Sequence, residues 1–149
     1  MAVSDGAQQL VVFSLGDEEY ALPITQVQEI IRYTEPRAVA SEESWIEGVI
    51  SLRGKIIPVC NLAGRLGLGT ERVDHAKIVI VETAGGTAGV TVDEVEEVLT
   101  LDEEQLDAVP GAGTECIEAV AKIDDRLVVL LNSDGIFAGA SLGAAAAAA

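Results

Sequence analysis

The sequence predicts an all-β chain built as two small barrels of about five strands each, and three observations carry that prediction. The apolar runs are short, rich in Val and Ile, and bounded by Gly, Asp and Asn, which is the pattern of strands. The runs recur in one order along two halves of the chain. Helical spacing is confined to Leu62–Leu66 and Ser133–Phe137, each a single turn that follows a strand.

In chain order, LVVFSL (Leu10–Leu15) and YALPI (Tyr20–Ile24) flank a polar GDEE turn and read as a hairpin. ITQVQEII (Ile24–Ile31) follows. GVISL (Gly48–Leu52) and KIIPVCNL (Lys55–Leu62) flank Arg53-Gly54 and read as a second hairpin. The pattern then repeats. ITQVQEII matches VDEVEEVL (Val92–Leu99), with Val27 falling on Val95, 68 residues on. The same offset lays LVVFSLGDEEYALPI over IVIVETAGGTAGVTV. WIEGVISLRGKIIPVCN matches CIEAVAKIDDRLVVLLN at an offset of 71, and the slip falls in the connecting loops, where insertions are tolerated best. The expected organisation is an N-terminal segment 1–9, a body 10–137 and an Ala-rich frayed tail 138–149. Within the body a first barrel is expected over 10–66 and a second over 76–137, with some intertwining at the termini allowed for. Neither half is long enough to bury a comfortable core alone, so the two should pack together.

Composition narrows the function. Asp and Glu number 25 against 9 Lys and Arg, a formal net charge of −16. Such a chain is repelled by phosphate backbones and anionic lipid, so nucleic-acid binding and membrane insertion are not expected. No run approaches the ~18 uncharged apolar residues of a membrane span. MAVSDGAQQ lacks the basic and apolar regions of a secretory signal, and Cys60 and Cys116 are the only cysteines. A reduced, cytoplasmic protein is therefore expected. Strong acidity with only three lysines (Lys55, Lys77 and Lys122) and much Ala and Val is also the composition of halophile cytoplasmic proteins.

Motifs for chemistry are sparse. His75 is the single histidine and lies in the polar connector ERVDH, without partners at metal-ligand spacing. AGGTAG (Ala84–Gly89) matches the hairpin turn of the first half, and neither it nor PGAG (Pro110–Gly113) leads into a phosphate loop. Asp102–Glu104 and Asp107 read as a solvated turn or short helix, and Cys60 sits in an apolar run as a small core residue. No catalytic residue, cofactor or metal site is expected.

One residue departs from the pattern. In the turn of VISLRGKIIPV, the first position favours a short polar side chain that tolerates positive φ, yet it holds Arg53. The second half turns with Asp124-Asp125 at the equivalent place. A turn needs only backbone geometry, so the arginine is expected to serve something other than the fold.

YALPITQVQEIIRY, WIEGVISLRGKIIPVCNLAGRLGL, GVTVDEVEEVLTL and IEAVAKIDDRLVVLLNSDGIF together resemble the CheW family of chemotaxis coupling proteins, over about residues 8–137. The resemblance implies two pseudo-symmetric SH3-like five-stranded β-barrels and a non-catalytic adaptor in two-component signalling. It implies two partners: the regulatory domain of the histidine kinase CheA, and the cytoplasmic tip of methyl-accepting chemotaxis receptors. The protein would be recruited to receptor arrays at the inner face of the membrane. Receptor contact is implied for Val27, Glu29, Arg53 and Gly54; kinase-contact residues are not assigned. Two departures stand out: Ser51 replaces the usual Asn before Leu-Arg-Gly, and Asn61-Leu62-Ala63 replaces the usual Asp-Leu-Arg. Without the resemblance, Val27 reads equally well as core or as a strand-edge surface residue, Glu29 as a solvated strand residue and Arg53 as a solubilising turn cation. Val27 and Glu29 have counterparts in Val95 and Glu97, so Arg53 is the sharper candidate. A regulatory coupling-like fragment of a larger two-component signalling protein is the second reading. It is disfavoured because the repeat begins within ten residues of Met1 and no phospho-acceptor domain follows Phe137. A small-ligand barrel is the third.

Overall fold

Each apolar run becomes a strand. The computed structural model describes residues 8–38, 45–68, 76–102, 105–107 and 116–137. The first half supplies β1 (Gln8–Leu15), β2 (Glu18–Pro23), β3 (Val27–Arg32), β4 (Ile46–Leu52), β5 (Lys55–Asn61) and the single turn α1 (Leu62–Arg65). The second supplies β6 (Lys77–Thr83), β7 (Gly86–Val92), β8 (Glu94–Leu101), β9 (Leu106–Asp107), β10 (Ile117–Ile123), β11 (Arg126–Leu131) and the turn α2 (Ser133–Ile136). A 3-10 turn over Ile24–Gln26, which apolar patterning did not reveal, leads into β3. His75, Glu104 and the Ala-rich tail lie outside the described residues.

The strands form a six-stranded sheet, β8-β1-β2-β11-β10-β9, and a five-stranded sheet, β3-β6-β7-β5-β4. The architecture is all-β, a pair of SH3-like units. The intertwining goes further than the termini. The β1–β2 hairpin of the first half sits among β8–β11, and the β6–β7 hairpin of the second sits among β3–β5. Neither sheet is drawn from one half of the chain. The two joints are equivalent parallel pairings: β5 with β7 through Val59 and Gly89, and β11 with β2 through Leu130 and Ala21.

The repeat extends to irregularities. Register shifts leave Gln28 bulged in β3 and Glu96 in β8, and Glu47 in β4 and Glu118 in β10. Arg37 bridges to Val49 where Asp107 of β9 pairs with Val120. Gly48 faces that bridge: its φ is +145°, and an added Cβ would lie 2.0 Å from the Arg37 carbonyl oxygen. Asn61 and Asn132 each cap the helical turn that follows, accepting from Gly64 N–H at 3.1 Å and Asp134 N–H at 2.9 Å. Asn61, a departure from the family pattern, thus fills the cap as a neutral residue.

Alternation explains why the runs look continuously apolar. Along β6, Ile78 and Ile80 point into the interior of the five-stranded sheet, with Ile50, Ile57 and Val59. Val79 and Val81 point the other way, into a central core with Phe13, Leu22, Cys60, Cys116, Leu131 and Ile136. Both faces are buried, so no polar alternation survives. Leu10, Val12, Ala21, Val128 and Leu130 fill the interior of the six-stranded sheet.

Candidate interaction site

The turn between β4 and β5 holds Arg53 at φ +52° and Gly54 at φ +81°; Asp124 has φ +53° at the matching turn. The left-handed conformation is thus a property of the fold at this place, and arginine adopts it without a short side chain's advantage. The guanidinium reaches Glu29 on β3 and pairs with it through two hydrogen bonds, Nη1 to Oε2 and Nη2 to Oε1, the latter 2.7 Å. This corrects the expectation that Arg53 plays no part in the fold. β3 and β4 are opposite edges of the five-stranded sheet, and the Glu29–Arg53 pair ties one edge to the turn at the other. The bidentate fork holds the Glu29 carboxyl below the usual glutamate range, chiefly by its hydrogen bonds, and raises the Arg53 guanidinium in turn. Arg53 remains 69% exposed. Val27, the first residue of β3, is half-buried and packs on the central core, two residues from Glu29.

A cleft of about 140 Å³ lies beneath the pair, lined by Gln28, Glu29, Leu52, Arg53, Lys55 and Thr87 and floored by Ile57. Three of the four predicted residues therefore meet here: Glu29 and Arg53 line the cleft, Gly54 forms its turn, and Val27 stands behind on the core side. Lys55, Thr87 and Gln28 were not singled out from sequence. A lysine in a chain with three was the available signal. A larger open groove of about 390 Å³ runs beside β4, lined by Thr34, Glu35, Arg37, Val49, Ser51 and Ile56.

The second half solves the same electrostatic problem differently. Glu97, the counterpart of Glu29, receives its arginine from the strand: Arg126 Nη2 lies 2.9 Å from Glu97. The same guanidinium grips Glu19 of β2 at 2.8 and 2.9 Å. Each half thus holds its β3- or β8-edge glutamate with an arginine.

Arg65, also unanticipated, joins the halves. From α1 it donates to the carbonyls of Ile136 at 2.8 Å and Gly135 at 3.1 Å at the end of α2, while stacking 5.2 Å over Trp45. Cys60 and Cys116 are buried in the central core, and burial pushes the Cys60 thiol well up, the opposite of a reactive thiolate. Among the described residues no His, Cys, Asp and Glu are grouped to hold a metal ion, and no helix is long and apolar enough to cross a membrane.

The fold class is an all-β pair of intertwined SH3-like units with an exposed ion-paired cleft. The family follows from comparison. The model of the CheW-like domain matches residues 9–141, and the chain belongs to that family. It is 31% identical over 134 residues to the chemotaxis protein CheW of Bacillus subtilis, covering 87% of this chain and 86% of that one. It is 31% identical to the Thermotoga maritima chemotaxis protein CheW, covering 86% of each chain. The crystal structure of the scaffolding protein TtCheW from Thermoanaerobacter tengcongensis superposes with a TM-score of 0.82 at 36% identity, over 88% of this chain and 92% of that one.

Proposed function

We propose that this protein is a non-catalytic adaptor that couples methyl-accepting chemotaxis receptors to the histidine kinase CheA, through the kinase's regulatory domain. It acts in the cytoplasm and is recruited to receptor arrays at the inner face of the membrane. Receptor contact falls at Val27, Glu29, Arg53 and Gly54. The observation that carries the reading is the convergence of Glu29, Arg53 and Gly54, from two elements distant in sequence, on one exposed rim of a chain whose relatives are chemotaxis proteins. An adaptor needs two faces that can be occupied together, and the presence of two sheets related by the repeat supports that reading. The second half carries its own exposed apolar positions, Val98 and Leu127, the counterparts of Ile30 and Ile56.

The test is co-sedimentation of the kinase with receptor-bearing vesicles, with and without this protein. The adaptor reading expects kinase in the pellet only when the protein is present. Kinase that pellets equally without it, or protein that binds neither partner, contradicts the reading. Phosphotransfer to this protein alone would contradict its non-catalytic character.

A further inference from the structure

The cleft under Arg53 has a counterpart in the second half that contains an ion pair the cleft lacks. In the second half, the position matching Thr87 is Glu19, and the position matching Lys55 is Arg126. There the Glu19 carboxylate is held in a two-point grip by Arg126, at 2.8 and 2.9 Å. In the first half the matching positions hold a threonine, Thr87, and a base, Lys55. No carboxylate of the described residues lies within ion-pair distance of Lys55, and about 140 Å³ stays open beside it. The charge of the lining inverts as well. One acid and two bases, Glu29 with Arg53 and Lys55, line this cleft; the equivalent positions carry four acids, Glu19, Glu96, Glu97 and Asp124, and one base, Arg126. In a chain of net charge −16 a mouth lined by more bases than acids is a local exception. Glu82, on the neighbouring rim, keeps its charge while it accepts hydrogen bonds from Gln28 and from Thr87 Oγ1 at 3.2 Å, so the mouth as a whole is balanced and Lys55 is the cation in it that is left without a carboxylate partner among the described residues.

We infer that the first-half mouth is a receptor site for one carboxylate, supplied by an acidic side chain of the docking partner, which takes the place that Glu19 takes in the second half. Lys55 supplies the opposing charge, Arg53 the second cation at the rim, and Ile57 the apolar floor that strengthens the pairing by excluding water. The inference deepens the adaptor reading and rests on it only for the partner's identity. Arg53 stays committed to Glu29, so Lys55 is the residue that discriminates an acidic partner from any other.

The test has two arms. The first is internal: Thr87→Glu and Thr87→Gln, each with Lys55 and with Lys55→Gln, compared by chemical unfolding as a double-mutant cycle. The cycle cancels any repulsion from Glu82. A favourable coupling between the new carboxylate and Lys55 is expected, and its absence overturns the site. The second arm measures binding of a soluble receptor signalling-tip fragment, with sodium acetate as the free-carboxylate probe. Thr87→Glu and Lys55→Gln should each weaken fragment binding about tenfold, as for a partly solvated charge pair. Fragment binding unchanged in both variants overturns the assignment to a partner side chain. Saturable acetate binding as tight as that of the fragment would overturn it too, in favour of a small carboxylate. If wild type binds no receptor fragment, the adaptor reading fails, and the unfolding cycle still decides whether the mouth holds a carboxylate.

Discussion

Arg53 shows how a single residue can be legible as unusual and illegible in its reason. The sequence marks it as a long cation at a place suited to Asn or Asp, and the backbone agrees, with φ +52°. Its partner Glu29 lies 24 residues away, on a strand that does not pair with either strand of its hairpin. Alignment of the halves hides the compensation, since Glu97 draws its arginine from position 126 and position 124 is free to be aspartate. The pair also has a pH signature. Arg53 holds the Glu29 carboxyl below its ordinary range, so the folded state binds this proton more weakly than the unfolded chain. The resulting stability is present above the ordinary glutamate range and is lost as pH falls through the lowered value. The difference in urea midpoint between wild type and Glu29→Gln should therefore be largest near neutrality and shrink on acidification. A difference independent of pH would show that the carboxylate's charge is not what matters there.

At the scale of elements, strands and turns follow from period and punctuation, and nearly all of them are readable. Which hairpin joins which set of strands is not. The two hairpins are alike in length and apolar pattern, so either would satisfy either set of strands locally; only global assembly selects the exchanged pairing. The 3-10 turn Ile24–Gln26 and the two-residue β9 escape for another reason: each is too short to show a period. Exchange has a mechanical consequence, because a defect in one hairpin is felt in both halves. Gly89 in β7 pairs with Val59, and an added Cβ would lie 2.8 Å from Ile78 Cγ2 and 3.4 Å from Val59 Cγ2. Gly89→Ala is expected to destabilise the protein by about 1–3 kcal/mol through overpacking. Trp45 fluorescence and amide exchange in β10 and β11 should report the same lowered midpoint. Separate midpoints for the two sheets would contradict a single interlocked core.

For the whole molecule, charge and coupling are the two questions. A net charge of −16 repels itself at low ionic strength and is screened as salt rises. The melting temperature should climb from dilute buffer through molar KCl; a flat or falling curve would remove the reading of its acidity as halophilic. The central claim is that the Glu29–Arg53 rim meets the receptor while the fold delivers the kinase contact elsewhere. Arg53→Asp alone would set two carboxylates against each other, so the sharper variant is the exchange Glu29→Arg with Arg53→Glu, which keeps the internal pair and reverses what it presents. Co-sedimentation of kinase with receptor vesicles, mediated by this variant, is the most direct measurement. The account predicts an unchanged melting temperature, unchanged binding of the kinase regulatory domain, and kinase left in the supernatant; kinase carried down as efficiently as by wild type would contradict it.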